Sequence, residues 1–137
     1  MTVRLLEGRA VCPKEVPEGT PLRYTALLRK VTEAEADAPL LPADLLSLTC
    51  TIFSLDNPGH PIVNSVNQVN ILNAGRGTLD GTGRLVLLLE DADATVLDQS
   101  LEIERHCVRI VGVYNTSPTR TSKRELEVRV RNLALTP

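Results

Sequence analysis

Aromatic residues are almost missing from this chain: Tyr24, Phe53 and Tyr114 are the full set, and there is no tryptophan. Sugar platforms and single-strand nucleic-acid grooves are built by stacking on such rings, so the chain is poorly equipped for either. Cysteines are few and scattered. Cys12, Cys50 and Cys107 show no CxxC or Cys/His ligand spacing, so a structural zinc site is not expected. No apolar run reaches membrane-spanning length, and the first residues lack the apolar stretch of a leader. A cytoplasmic origin without a membrane partner is therefore expected, with any life elsewhere reached by incorporation into a particle. Gly75-Arg76-Gly77 has no following Lys-Ser/Thr of a phosphate loop and reads as turn chemistry.

What the sequence has in plenty is alternation. Leu22, Tyr24, Ala26 and Leu28 alternate with Arg23, Thr25 and Arg29, Leu48, Cys50 and Ile52 with Thr49 and Thr51, and Leu126, Val128 and Val130 with Glu125, Glu127, Arg129 and Arg131. A period of two is that of half-buried antiparallel strands, with one set of side chains facing a core. Leu85–Leu89 and the middle of 101–114 are apolar throughout, which predicts strands covered on both faces, with 101–114 central. Val3–Val11 fits a first strand or an arm, and the prolines between Cys12 and Pro21 predict a stiff loop, so 1–20 is expected to be a strand or arm with a Pro-rich loop beside a 21–137 β-sandwich domain. Asp56-Asn57-Pro58-Gly59 predicts a turn that makes 47–64 a hairpin. Residues 66–72 fit either a helical turn or a bent strand. Val31–Asp44 is expected to be a surface loop that can end in a short helical turn at Pro42–Leu46; a Thr32/Glu35 capping box offers the alternative of one helical turn before Pro39. With 137 residues and 42% apolar composition, the chain suits one all-β domain: an antiparallel β-sandwich, Ig-like or jelly roll, with at most one or two short helical turns. Leu48, Cys50, Ile52, Leu87, Leu89, Val108, Ile110, Leu126, Val128 and Val130 are its expected core.

Few residues invite chemistry. Asp91, Asp93 and Asp98, beside Glu90, Glu102 and Glu104, form the densest acidic group. Asp91, Asp93 and Glu102 occupy the first, third and twelfth positions of a calcium-loop template, but its glycine position is Val96 and flanking helices are not expected. A solvated loop is the expectation. His106 and Cys107 are strand neighbours and point to opposite faces, so they form no nucleophile–base pair. Glu104 and His106 share a face, but no serine elbow accompanies them. They are expected to make a local or cross-strand hydrogen bond. No catalytic residue, cofactor or metal ligand is expected, and the chain is not expected to be an enzyme.

Net charge is −2, unevenly spread. Residues 1–104 hold 15 acidic and 8 basic groups, whereas 105–131 hold 7 basic and 2 acidic. Arg124, Arg129 and Arg131 are thus expected to meet acidic loops at Glu33–Asp37 and Asp91–Asp98 of another molecule. Interspersed Glu125 and Glu127 break any phosphate-tracking stripe, so sequence-specific nucleic-acid binding is not expected.

Asn64, Asn70-Ile71-Leu72-Asn73-Ala74, Gly77-Thr78, Gly83, the strand Leu85–Leu89, Asp93, Glu104 with His106, and Val130-Arg131-Asn132-Leu133 resemble the small Ig-like or jelly-roll accessory proteins of tailed-bacteriophage virions. The resemblance covers 64–133. It implies a capsid-decorating protein that binds the shell and neighbouring copies, or a head–tail adaptor in the neck. Partners would be the major capsid protein or neck proteins, and the location the virion. A free-standing Ig-like binding module is the alternative from another class.

Overall fold

The computed structural model describes residues 8–31 and 37–135, with the backbone alone at 8–14, 31 and 37. Strand alternation organises the larger sheet. β5 (Leu45–Ser54), β9 (Ile103–Tyr114) and β10 (Thr121–Arg131) pair antiparallel, with β9 central. β1 (Gly8–Pro17) and β6 (Val69–Asn70) complete the order β1-β10-β9-β5-β6. A three-stranded sheet, β2-β8-β7, is formed by β2 (Leu22–Leu27), β7 (Gly77–Leu79) and β8 (Arg84–Leu89). β3 (Arg29–Val31) and β4 (Asp37–Pro39) make a short ladder of their own. The inward faces of both sheets share one core, so the fold is an all-β sandwich. All ten expected core residues are buried in it. Among the described residues the helical turns are two single 3-10 turns, Pro42–Asp44 and Asp91–Ala94. None is long and apolar enough to cross a membrane.

Several expectations change. The first strand forms, and it runs on through the residues expected to be a Pro-rich loop: β1 extends to Pro17 as an edge strand parallel to β10. Proline is tolerated there because an edge strand has one unpaired side. The register shifts between Val11 and Glu15, a gap that contains Pro13. The sheet is therefore mixed rather than wholly antiparallel. The 60–64 return beside β5 is reduced to one bridge, Phe53 to Ile62. Positive φ at His60, Asn64, Ser65 and Gln68 breaks its pleat. Residues 66–72 resolve into a bent segment whose ordered part is β6, paired to Thr49 and Cys50. β8 is buried on one face only. Leu85, Leu87 and Leu89 enter the core while Leu88 is 51% exposed, because nothing among the described residues covers the outer side of the small sheet. The outward Val111 and Val113 of β9 are likewise half-exposed. The Thr32/Glu35 capping box and the acidic residues 33–36 lie outside the described residues.

Gly77 shows why small residues punctuate this region. A Cβ there would press on the Ile71 carbonyl oxygen and lie 2.5 Å from Ile71 Cβ, and Ile71 is fully buried. Gly77→Ala should cost about 3 kcal/mol, since the obstacle is partly backbone and cannot swing aside. Gly81 has nothing within 4 Å of such a Cβ, so Gly81→Ala should be nearly neutral. Urea unfolding of the two variants checks the contrast; equal midpoints would refute the tight packing at Gly77.

Candidate functional site

The expected basic face of the C-terminal strand does not exist as one surface. Arg124 has the parity of Leu126 and turns inward, where its Nε donates to the Tyr24 hydroxyl at 2.8 Å and ties β10 to β2. Arg131 is half-buried, its Nε without a hydrogen-bond partner. Arg129 is outward and lies 3.7 Å from Glu127. The outer face of the large sheet is a lattice of paired charges. Arg105 clasps Asp56 at 2.8 and 2.9 Å, and Arg109 donates twice to Glu125 at 2.9 and 3.0 Å. Glu127, 7% exposed, sits between Arg105 and Arg129. Sequence blocks suggested surplus positive charge; cross-strand register neutralises it, because Glu125 lies directly opposite Arg109.

The acidic group is also divided. Asp91 is exposed and bonds only the neighbouring Ala92 amide. Asp98 accepts the Ser100 amide and hydroxyl, and these bonds hold its carboxyl below the usual range. Asp93 is buried rather than solvated. Its carboxylate pairs with Arg76, accepts Asn64 Nδ2 at 2.9 Å and accepts the Glu90 amide at 2.7 Å, closing the first 3-10 residues back on themselves. Both oxygens are occupied, so a calcium loop through Asp93 is excluded by protein contacts. Among the described residues no cluster of three or more His, Cys, Asp or Glu could hold a metal ion.

Glu104 and His106 do meet. His106 Nε2 faces Glu104 Oε2, and both side chains are buried. Glu104 also accepts the Leu97 and Asp98 amides at 3.1 and 2.9 Å, and Asn57 Nδ2 at 2.9 Å. Burial pushes this carboxyl up, but the bonds from His106, Asp98, Leu97 and Asn57 outweigh it and hold it below its ordinary value. Asn57 in turn donates to Ser54 Oγ at 2.7 Å. The pair thus fastens the 55–60 turn and the 97–98 loop to β9. Its remaining nitrogen, Nδ1, is buried without a hydrogen-bond partner among the described residues, and His106 lines a small pocket of about 10 Å³ with Ile52, Leu89, Asp93 and Val128, too small for anything beyond one water. Cys50 is fully buried, and burial pushes its thiol up to about 12.

Two outward surfaces were not anticipated. The first is an open groove of about 620 Å³ on the large sheet. Ser47, Thr49 and Thr51 of β5 and Val111 and Val113 of β9 line its floor, and Asn67 and Gln68 stand beside them. At one end Arg109 lies 4.8 Å over the Phe53 ring, which His60 also covers. The signal for it was present in the Ser/Thr side of the β5 alternation, but not the loop that makes it concave.

The second is the outer face of the small sheet. Arg23, Thr25 and Leu27 of β2 lie against Leu88, Val86 and Arg84 of β8. Leu27 and Leu88 are 52% and 51% exposed. The strands of this face carry two arginines and no carboxylate. Neither Arg23 nor Arg84 has an ion-pair partner among the described residues, in contrast to Arg105, Arg109 and Arg129.

The residues that carry the phage resemblance are fasteners of loops. Asn64 holds Asp93, Asn73 Oδ1 accepts the Leu79 amide at 2.7 Å, and Asn132 donates to the Gln99 and Leu101 carbonyls at 3.1 Å. Gly83, at φ +80°, leaves no room for a Cβ against the Leu28 carbonyl. No protein-family model, curated protein or solved structure matches the chain.

Proposed function

We propose that this chain is a non-enzymatic assembly module: an accessory structural protein of a tailed-phage virion that decorates the capsid shell, or sits as an adaptor at the head–tail neck. The observation that carries the assembly reading is the small sheet's outer face. Exposed Leu27 and Leu88, half-buried Val86 and Arg23, which has no ion-pair partner among the described residues, form an apolar centre with a cationic rim, the make-up of a protein–protein contact. The groups best suited to acid–base chemistry, Glu104 and His106, are occupied in holding loops. The virion setting rests on the sequence resemblance over 64–133. Its test is direct: particles purified from a host that expresses the chain are probed for it by quantitative mass spectrometry. A fixed number of copies per particle is expected. Absence of the chain from intact particles overturns the virion setting.

A second reading, a free-standing binding module, is favoured by the groove. Two of its lining residues, His60 and Gln68, hold positive φ without being glycine. Backbone strain of this kind collects at ligand clamps.

A further inference from the structure

We infer that the occupant of the small sheet's outer face is a second copy of this chain, presenting its acidic end in a head-to-tail contact. The inference rests on the assembly reading and names its partner. Chemical complementarity between two surfaces of the one chain supports it. Among the described residues eight large hydrophobic side chains are exposed. Leu27 and Leu88 lie on the small sheet's face. Leu97, Ile103, Leu133 and Leu135 lie at the end where the 97–103 segment meets the 132–135 turn. That junction is fixed by the Asn132 amide donating to the Glu102 carbonyl at 2.8 Å and by Asn132 Nδ2 reaching the Gln99 and Leu101 carbonyls.

Charge divides the same way. The strands of the sheet face carry Arg23 and Arg84 and no acid, with Asp80 of the β7–β8 turn beside Arg84. The end has Asp98 and Glu102, neither with an ion-pair partner among the described residues. Arg131, opposite Ile103, is half-buried. Joining the two surfaces would cover apolar side chains at the centre and let each unpaired arginine meet an unpaired carboxylate. The two patches are different parts of the molecule, so the contact is heterologous. Repeated, it generates a ring if the rotation closes and a filament if it does not.

Light scattering on size-exclusion peaks, at concentrations up to about 1 mM, populates even a weak contact. Wild-type chain should show a mass that rises with concentration. A face variant, Arg23→Glu with Leu88→Asp, and an end variant, Leu97→Arg with Glu102→Arg, should each be monomeric, with circular dichroism unchanged. Mixed in equal amounts, they should form a one-to-one heterodimer, because each retains the surface the other lacks. Three results overturn the inference: a wild-type monomer throughout, variants that associate like wild type, or a mixture that stays monomeric. If either variant is unfolded, the single changes Arg23→Glu and Glu102→Arg replace it, with a lowered association constant expected. A monomeric chain still found in particles at fixed copy number would sink this contact and leave the assembly reading standing.

Discussion

Asp93→Ala should destabilise the fold by about 3–5 kcal/mol, a large share of the about 5–15 kcal/mol that holds a domain together. The reason is what the substitution leaves behind. Arg76, whose side chain is 12% exposed, would lose its buried counter-charge, and the Glu90 amide and Asn64 would lose their acceptor. Asp91→Ala, two residues away, removes an exposed carboxylate and should change stability by less than about 0.5 kcal/mol. Urea unfolding of both variants measures the difference. Equal effects would mean that Asp93 is as dispensable as an ordinary surface acid. Arg76→Leu combined with Asp93→Leu should recover much of the loss, since burying two apolar groups avoids desolvating two charges. Calcium or a chelator should leave the wild-type Tm unchanged.

Acid should act first through Glu104. Its carboxyl is held below its ordinary 4.5 in the folded state, so the unfolded chain binds its proton more readily. The stability it contributes is complete above pH 4.5 and is lost as pH falls through the lower folded value. Glu104→Gln should remove about 2–4 kcal/mol at pH 7, because His106 and the Leu97 and Asp98 amides lose a charged acceptor. The variant should also show a shallower loss of stability as pH falls below 4.5. Asp56, also held below its usual range by Arg105 against the opposing effect of burial, leaves a residual slope in that window. A variant that unfolds along the wild-type pH curve, merely displaced, would show that Glu104 is not the titrating group.

The candidate surfaces were only half legible in the sequence. Arg129 was rightly placed on the outward side of its strand, because outwardness follows from parity. Its partner Glu127 is two residues away on the same strand and was in view, but the pairings of Arg109 with Glu125 and of Arg105 with Asp56 come from register with β9 and from the 54–57 turn. Arg124 shows the opposite case: its parity with Leu126 turned it inward to Tyr24, a partner 100 residues away. The groove floor was written in Ser47, Thr49 and Thr51, but its depth comes from a loop bent by residues at positive φ. Leu88 was hidden by its neighbours: an unbroken apolar run looks the same whether one face is covered or two.

By itself the sequence determined the all-β class and which residues enter the core. Pleating is local: each residue's side of a strand is set by its neighbours in the chain, and hydrophobicity then chooses the side that is buried. Tertiary structure alone decided that β1 joins β10 in parallel, that Arg76 meets Asp93 and Arg105 meets Asp56, and that among the described residues nothing covers Leu27 and Leu88 on the small sheet. Those outcomes depend on which strands become neighbours and in what register. That choice is settled by packing the whole core at once, so no local pattern encodes it.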